Sequence, residues 1–141
     1  MKAFVIDSSV VVKWFSLETD TPAALALRDA LFRGDCRILA PDLLLYEVAN
    51  ALRFHPRFAE DDVRAAVASV LDLGIEFAAP DPDLLRRAVE LAFRFKTTGY
   101  DACFLALADL QNAPLVSADE KLIAQARGFT SVVRLSDLSI K

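Results

Sequence analysis

Five short apolar runs, each too far from the next for a hairpin turn, constrain this chain more than any other feature. They occupy residues 3–6, 37–40, 75–78, 115–117 and 131–135, and a helical segment separates each from the next. Residues 8–15 read as the first helix. Thr21-Pro22 opens a second, with Thr21 as N-cap and Pro22 at its first position, running to about Phe32. Pro41-Asp42 starts a helix to about Phe54, and His55-Pro56-Arg57 breaks it. Residues 59–73 continue as the other arm of a helical hairpin that Gly74 ends. Asp81-Pro82 starts a helix to about Phe95, Asp101 begins a very apolar one to Leu110, and residues 119–126 form the last. Strands joined through helices pair in parallel by right-handed crossovers. The expected fold is α/β, a three-layer α/β/α sandwich with a central parallel sheet. At 141 residues, without repeats or linkers, residues 1–141 are expected to form a single domain.

Four carboxylates stand where this apolar pattern should carry none. Asp7 directly follows Val5-Ile6, and Glu47 interrupts Leu43-Leu44-Leu45-Tyr46 and Val48-Ala49. Asp101 precedes Ala102-Cys103-Phe104-Leu105, and Asp119 comes shortly after Leu115-Val116. Desolvating an unpaired charge costs several kcal/mol or more, so such residues are normally paired or bound to a cation. Open parallel sheets bind ligands at the carboxyl ends of their strands, where Asp7 and Asp119 fall. Each residue also has a plain alternative. Asp7, Asp101 and Asp119 can simply cap the helices that follow them. Glu47 lies well inside a helix and cannot be a cap, which leaves a partly exposed surface position. Leu43, Asn50 and Ala51 share its face.

Other chemistries find little support. Cys36 and Cys103 are far apart and have no CxxC spacing, so neither a zinc site nor a disulfide framework is expected, and both read as buried free thiols. His55 is the only histidine, which removes histidine triads and multi-histidine metal sites. No apolar stretch reaches the ~18 residues needed to span a bilayer, and the amino terminus lacks a signal-peptide pattern. A cytoplasmic protein is expected. Hydrophobic content of 55% exceeds what a small core needs, which points to an apolar protein interface. A homodimer built around Trp14-Phe15 or residues 93–95 is the expectation. The net charge of −4 excludes a basic nucleic-acid-coating protein. It leaves room for RNA as a substrate, guided by a local track drawn from Lys13, Arg53, Arg57, Arg86, Arg87, Arg94 and Lys96.

The acidic positions and their neighbours carry a family resemblance. Val5-Ile6-Asp7-Ser8-Ser9-Val10, Tyr46-Glu47-Val48-Ala49-Asn50, Tyr100-Asp101-Ala102 and Val116-Ser117-Ala118-Asp119-Glu120 resemble the PIN-domain family. Within that family the chain is most similar to the VapC-type toxins of prokaryotic toxin–antitoxin pairs, over essentially its whole length. The resemblance implies a Mg²⁺- or Mn²⁺-dependent endoribonuclease, usually dimeric and silenced by a cognate antitoxin. It places Asp7, Glu47, Asp101 and Asp119 at the acidic positions, and Ser117 at a hydroxyl position where threonine is common.

Without a histidine base or a paired nucleophile, the simplest attacking group is a water activated by a divalent cation. Asp7 and Asp101 are then the expected direct metal ligands, with Asp119 a ligand directly or through water. Glu47 would hold a metal-bound water or orient the attacking one, and Ser8 and Ser117 would orient the carboxylates. Alternatives remain: a PIN-type nuclease outside any toxin–antitoxin pair, or a non-catalytic interaction module on the same fold. A haloacid-dehalogenase-type phosphatase would require aspartate where Ser9 stands. A receiver domain would require a phosphorylatable aspartate after the third strand, which ends at Ala79-Pro80.

Overall fold

A computed structural model of the chain describes residues 1–129 and 131–140. The strands are β1 (Lys2–Ile6), β2 (Cys36–Pro41), β3 (Glu76–Ala78), β4 (Leu115–Ser117) and β5 (Val132–Arg134). They form one sheet in the order β3-β2-β1-β4-β5, and every pairing is parallel. The expected α/β sandwich is therefore present. β1 is central because Phe4, Val5 and Ile6 are all buried, and a strand covered on both faces must read as a continuous apolar run. Val5 pairs with Leu115 and Ile6 with Val116, which brings the carboxyl ends of β1 and β4 side by side.

The helices are α1 (Ser8–Val12), α2 (Thr21–Arg33), α3 (Leu43–Arg53), α4 (Glu60–Asp72), α5 (Pro82–Phe95), α6 (Gly99–Leu110) and α7 (Glu120–Gln125). With right-handed crossovers, the connections β1→β2 and β2→β3 run over one face of the sheet. Those from β3 to β4 and from β4 to β5 run over the other. The chain thus reverses its direction of travel between β1 and β4, the switch point where open α/β sheets leave a crevice. In α6, Ala102 and the whole run 104–108 are buried, because this helix packs against α5 on one side and β1 and β2 on the other. A helix covered all round must be apolar all round.

Several boundaries differ from the sequence reading. The first helix ends at Val12 rather than Phe15, and a turn follows it. Thr21 is not the N-cap of α2: that place belongs to Asp20, in a left-handed conformation, and Pro22 is therefore the second helical residue. The Thr21 hydroxyl is occupied in bracing the preceding loop. It accepts from the Glu18 N–H at 2.9 Å and donates to the Ser16 carbonyl at 3.2 Å. The last strand is shorter than expected, because Leu135 enters a 3₁₀ turn, Leu135–Asp137. Trp14 does not lie on an exposed surface. It is buried, and its indole N–H donates to the Ala24 carbonyl at 2.8 Å. Both cysteines are free thiols, Cys36 buried and Cys103 half-buried.

Candidate active site

Asp7 leaves the end of β1 as the N-cap of α1 and sits in the crevice, only 5% exposed. Its Oδ1 accepts from the Ser9 N–H at 3.0 Å and from the Ser9 hydroxyl. Its Oδ2 accepts from the fully buried hydroxyl of Ser117, the last residue of β4. Two further bonds lock this bridge between strands. The Ala118 N–H donates to Ser9 Oγ at 2.9 Å, and the Asp119 N–H donates to Ser117 Oγ at 3.1 Å. Asp7 therefore caps its helix and also joins the two strand ends, and its carboxylate is held in one orientation.

Asp119 is the N-cap of α7, its Oδ1 accepting from the Lys121 and Leu122 N–H groups at 3.0 and 3.2 Å. Asp101 is not a cap. Thr98 caps α6, accepting from the Asp101 N–H at 3.0 Å, so Asp101 lies in the first turn and its carboxylate does not serve as the cap. Glu47 sits half-buried on α3, whose buried stripe is Leu44, Val48 and Leu52, with Ser8 near enough to favour its charged form.

Electrostatics ties the four together. Burial pushes Asp7 up to about 6, against the serine hydrogen bonds that favour its charged form, and Asp119 adds repulsion. Glu47 is pushed up to about 7, first by burial and then by the charges of Asp101, Asp7 and Asp119, while Ser8 opposes the rise. Asp101 is raised by burial and by Asp119, and Thr98 and Lys121 counter it. Asp7, Glu47 and Asp101 are thus each raised in part by a neighbouring carboxylate at the switch point. Yet among the described residues no three His, Cys, Asp or Glu side chains stand close enough together to hold an ion as they are. The donor chemistry nevertheless fits a hard divalent cation: the set is carboxylate and hydroxyl oxygen, and the mutual repulsion is of the kind an ion relieves.

The cationic track expected from the sequence does not form one continuous path. Arg86 pairs with Asp83, and Arg87 pairs with Glu90 and Asp109. Arg53 and Arg94 lie over the rings of Phe54 and Phe95. Lys13 is buried. Lys121, which stood outside that set, is the cation whose charge reaches Asp101. The sequence reading also passed over Ser9 and Thr98 as site residues. Their signals were the Asp-x-Ser spacing of a local side-chain turn, and a threonine three residues before Asp101.

The chain belongs to the PIN-domain family, whose model matches residues 4–128. It is 31% identical over 138 residues to Ribonuclease VapC1 of Mycobacterium tuberculosis, covering 96% of this chain and 98% of that protein. Among solved structures it is similar to the Mycobacterium tuberculosis VapC20, described as a sarcin-ricin loop cleaving toxin. The TM-score there is 0.67 at 17% identity, over 86% of this chain and 93% of that one. It is also similar to VapBC2 from Rickettsia felis bound to a DNA fragment from its promoter, with TM-score 0.69 at 12% identity, over 94% of this chain and 96% of that one. At those identities the two structures bear on the fold.

Proposed function

We propose that this chain is a divalent-metal-dependent endoribonuclease and the toxin component of a toxin–antitoxin pair, working in the cytoplasm as a single PIN-type unit over residues 1–141. What carries the reading is the set of four carboxylates coupled by charge at the strand switch point, in a chain that aligns over 96% of its length with a ribonuclease. Asp7, Asp101 and Asp119 would hold the cation, Mg²⁺ or Mn²⁺. When bound, such an ion polarises a phosphoryl oxygen and acidifies a water.

The chain's own residues supply the rest. Ser9 and Ser117 fix both Asp7 oxygens, so the carboxylate needs no reorganisation when the substrate arrives. Glu47, whose carboxylate lies in the field of Asp7, Asp101 and Asp119, is placed to orient the attacking water. Thr98 restrains the first turn of α6 and with it the Asp101 backbone.

The proposed partners are RNA, an antitoxin and a second copy of the chain. The antitoxin is proposed from the similar structures, which include a toxin–antitoxin complex from Klebsiella pneumoniae. A homodimer is supported by Leu85, Val89 and Phe93, exposed at four-residue spacing along one face of α5; Phe93 is 83% exposed. Among the described residues no helix is long and apolar enough to cross a membrane.

The test compares wild type with Asp101→Asn on total RNA, with Mg²⁺ or Mn²⁺ and with chelator, mapping the ends produced. Cleavage should require both the metal and Asp101, while circular dichroism stays the same. Equal cleavage by the two proteins, or none by wild type with either metal, would overturn the proposal.

A further inference from the structure

A second polar feature opens beside the acids, and the mechanism above does not use it. A cavity of about 270 Å³ is lined by Ser8, Ser9, Lys13, Glu18, Ala51 and Ala118. It is continuous with the site on three sides. The Ser9 hydroxyl donates to Asp7, Ala118 separates Ser117 from Asp119, and Ala51 lies one helical turn beyond Glu47 on the same face of α3. The cavity's positive charge is Lys13, which is 9% exposed.

Lys13 buries its aliphatic stem and keeps its ammonium accessible from the cavity. The ammonium is only loosely held. Its ion-pair partner Glu18 stands at 3.5 Å, beyond the roughly 2.7–2.9 Å of a charge-assisted hydrogen bond, and the Glu18 side chain is 39% exposed. An ammonium carries three donors, so this contact leaves Lys13 able to accept a stronger anionic partner. Nor does Lys13 neutralise the acidic cluster: the charges acting on Asp7 and Glu47 are carboxylates, and the cation acting on Asp101 is Lys121. A polyanionic strand approaching four carboxylates needs a fixed cation beside the cleavage point, and this cavity holds one.

We infer that Lys13 and its cavity form a phosphate subsite that binds the RNA backbone next to the scissile bond, with Glu18 occupying the ammonium until substrate replaces it. This inference rests on the nuclease reading above. Lys13 is a positioning residue: it fixes the strand and takes no part in proton transfer. Because it contacts backbone, its effect is independent of base sequence.

The test measures binding of a labelled single-stranded RNA to Asp101→Asn protein with Mg²⁺ present, across a salt series. Each phosphate contact on a single strand contributes about 0.7 to the slope of log K against log salt. Adding Lys13→Met should lower that slope by about 0.7 and weaken binding roughly ten-fold at low salt. Lys13→Arg should restore the slope. Glu18→Gln releases the ammonium, so its binding should equal or exceed that of its parent. A lysine that merely tied down the loop would behave differently: Glu18→Gln would reproduce the loss seen in Lys13→Met, with matching drops in melting temperature, and that result overturns the inference. If the parent binds RNA and Lys13→Met keeps the full slope, the subsite fails while the nuclease reading stands. If Asp101→Asn binds no RNA and wild type cuts none, both fall together.

Discussion

Replacing Asp7 with asparagine should stabilise the metal-free protein, by an amount that grows with pH. Burial raises the Asp7 carboxyl from 3.8 to about 6, so the folded state holds its proton over a range where the unfolded state has released it. Where the folded state binds more protons, stability falls as pH rises. The loss begins near the unfolded pKa and is complete above about 6. Each tenfold change in proton affinity is worth about 1.4 kcal/mol, so the full penalty is about 3 kcal/mol. Asparagine carries no charge and escapes it. It must turn its amide nitrogen toward Ser117 Oγ, which then accepts instead of donating, at a cost of about 1 kcal/mol that does not vary with pH. The stability difference between Asp7→Asn and wild type should therefore shift by about 2.5 kcal/mol between pH 4 and pH 8, since the unfolded carboxyl is already partly ionised at pH 4. For a chain of this size that is roughly 10 °C in melting temperature. Urea unfolding in chelator at pH 4, 6 and 8 measures it, and other titrating groups largely cancel in the difference. Repetition with Mg²⁺ at pH 8 should narrow the gap, because the cation stabilises the wild-type carboxylate. A difference that stays constant across pH would refute the assignment of Asp7 as a buried, desolvated carboxylate.

Ser117→Ala removes a hydrogen bond that favours ionised Asp7, so the acid limb of the pH–rate profile for RNA cleavage should move to higher pH. An unmoved limb would separate Asp7 ionisation from turnover. Thr98→Ala removes the cap of α6 and should cost about 1 kcal/mol in thermal or urea melts. A neutral result would show that the first turn, and Asp101 with it, is held by packing alone. Phe93→Asp places a charge in the exposed stripe of α5 and should turn a sedimenting dimer into a monomer. A wild-type monomer at high micromolar concentration would reject that interface.

Much of the fold, and the anomalous placement of the four acids, was legible in the sequence, because both rest on one-dimensional signals. Residues 3–6 and 115–116 are apolar without interruption because their strands are covered on both faces of the sheet. The four acids stand out for the same reason: a charge set in such a run needs a compensating partner. Glu47 was legible as more than a cap because it lies in mid-helix. Asp101 could not be separated from a cap by sequence, since Thr98 and Asp101 are both good capping residues and only the backbone decides which one turns the chain.

What the tertiary structure alone decided involves partners far apart in the chain. Asp7 and Ser117 meet across 110 residues, because β4 returns to pair with β1 after the crossover. No local pattern in the sequence encodes that bond, nor the rise in the Asp7 pKa that its burial produces. Trp14 looked like interface surface, since an apolar residue beside a short helix reads the same whether or not something covers it. The Ala24 carbonyl settled the matter by accepting its N–H. Lys13 shows the limit most clearly. In sequence it is a lysine at the end of an apolar helix, and it reads as solvated. Its stem is buried, beside a cavity it shares with Ala51 and Ala118, only because α3 and the β4–α7 turn come alongside it. Local residue types set which elements form and where charge is anomalous, whereas desolvation depends on what the rest of the chain brings alongside.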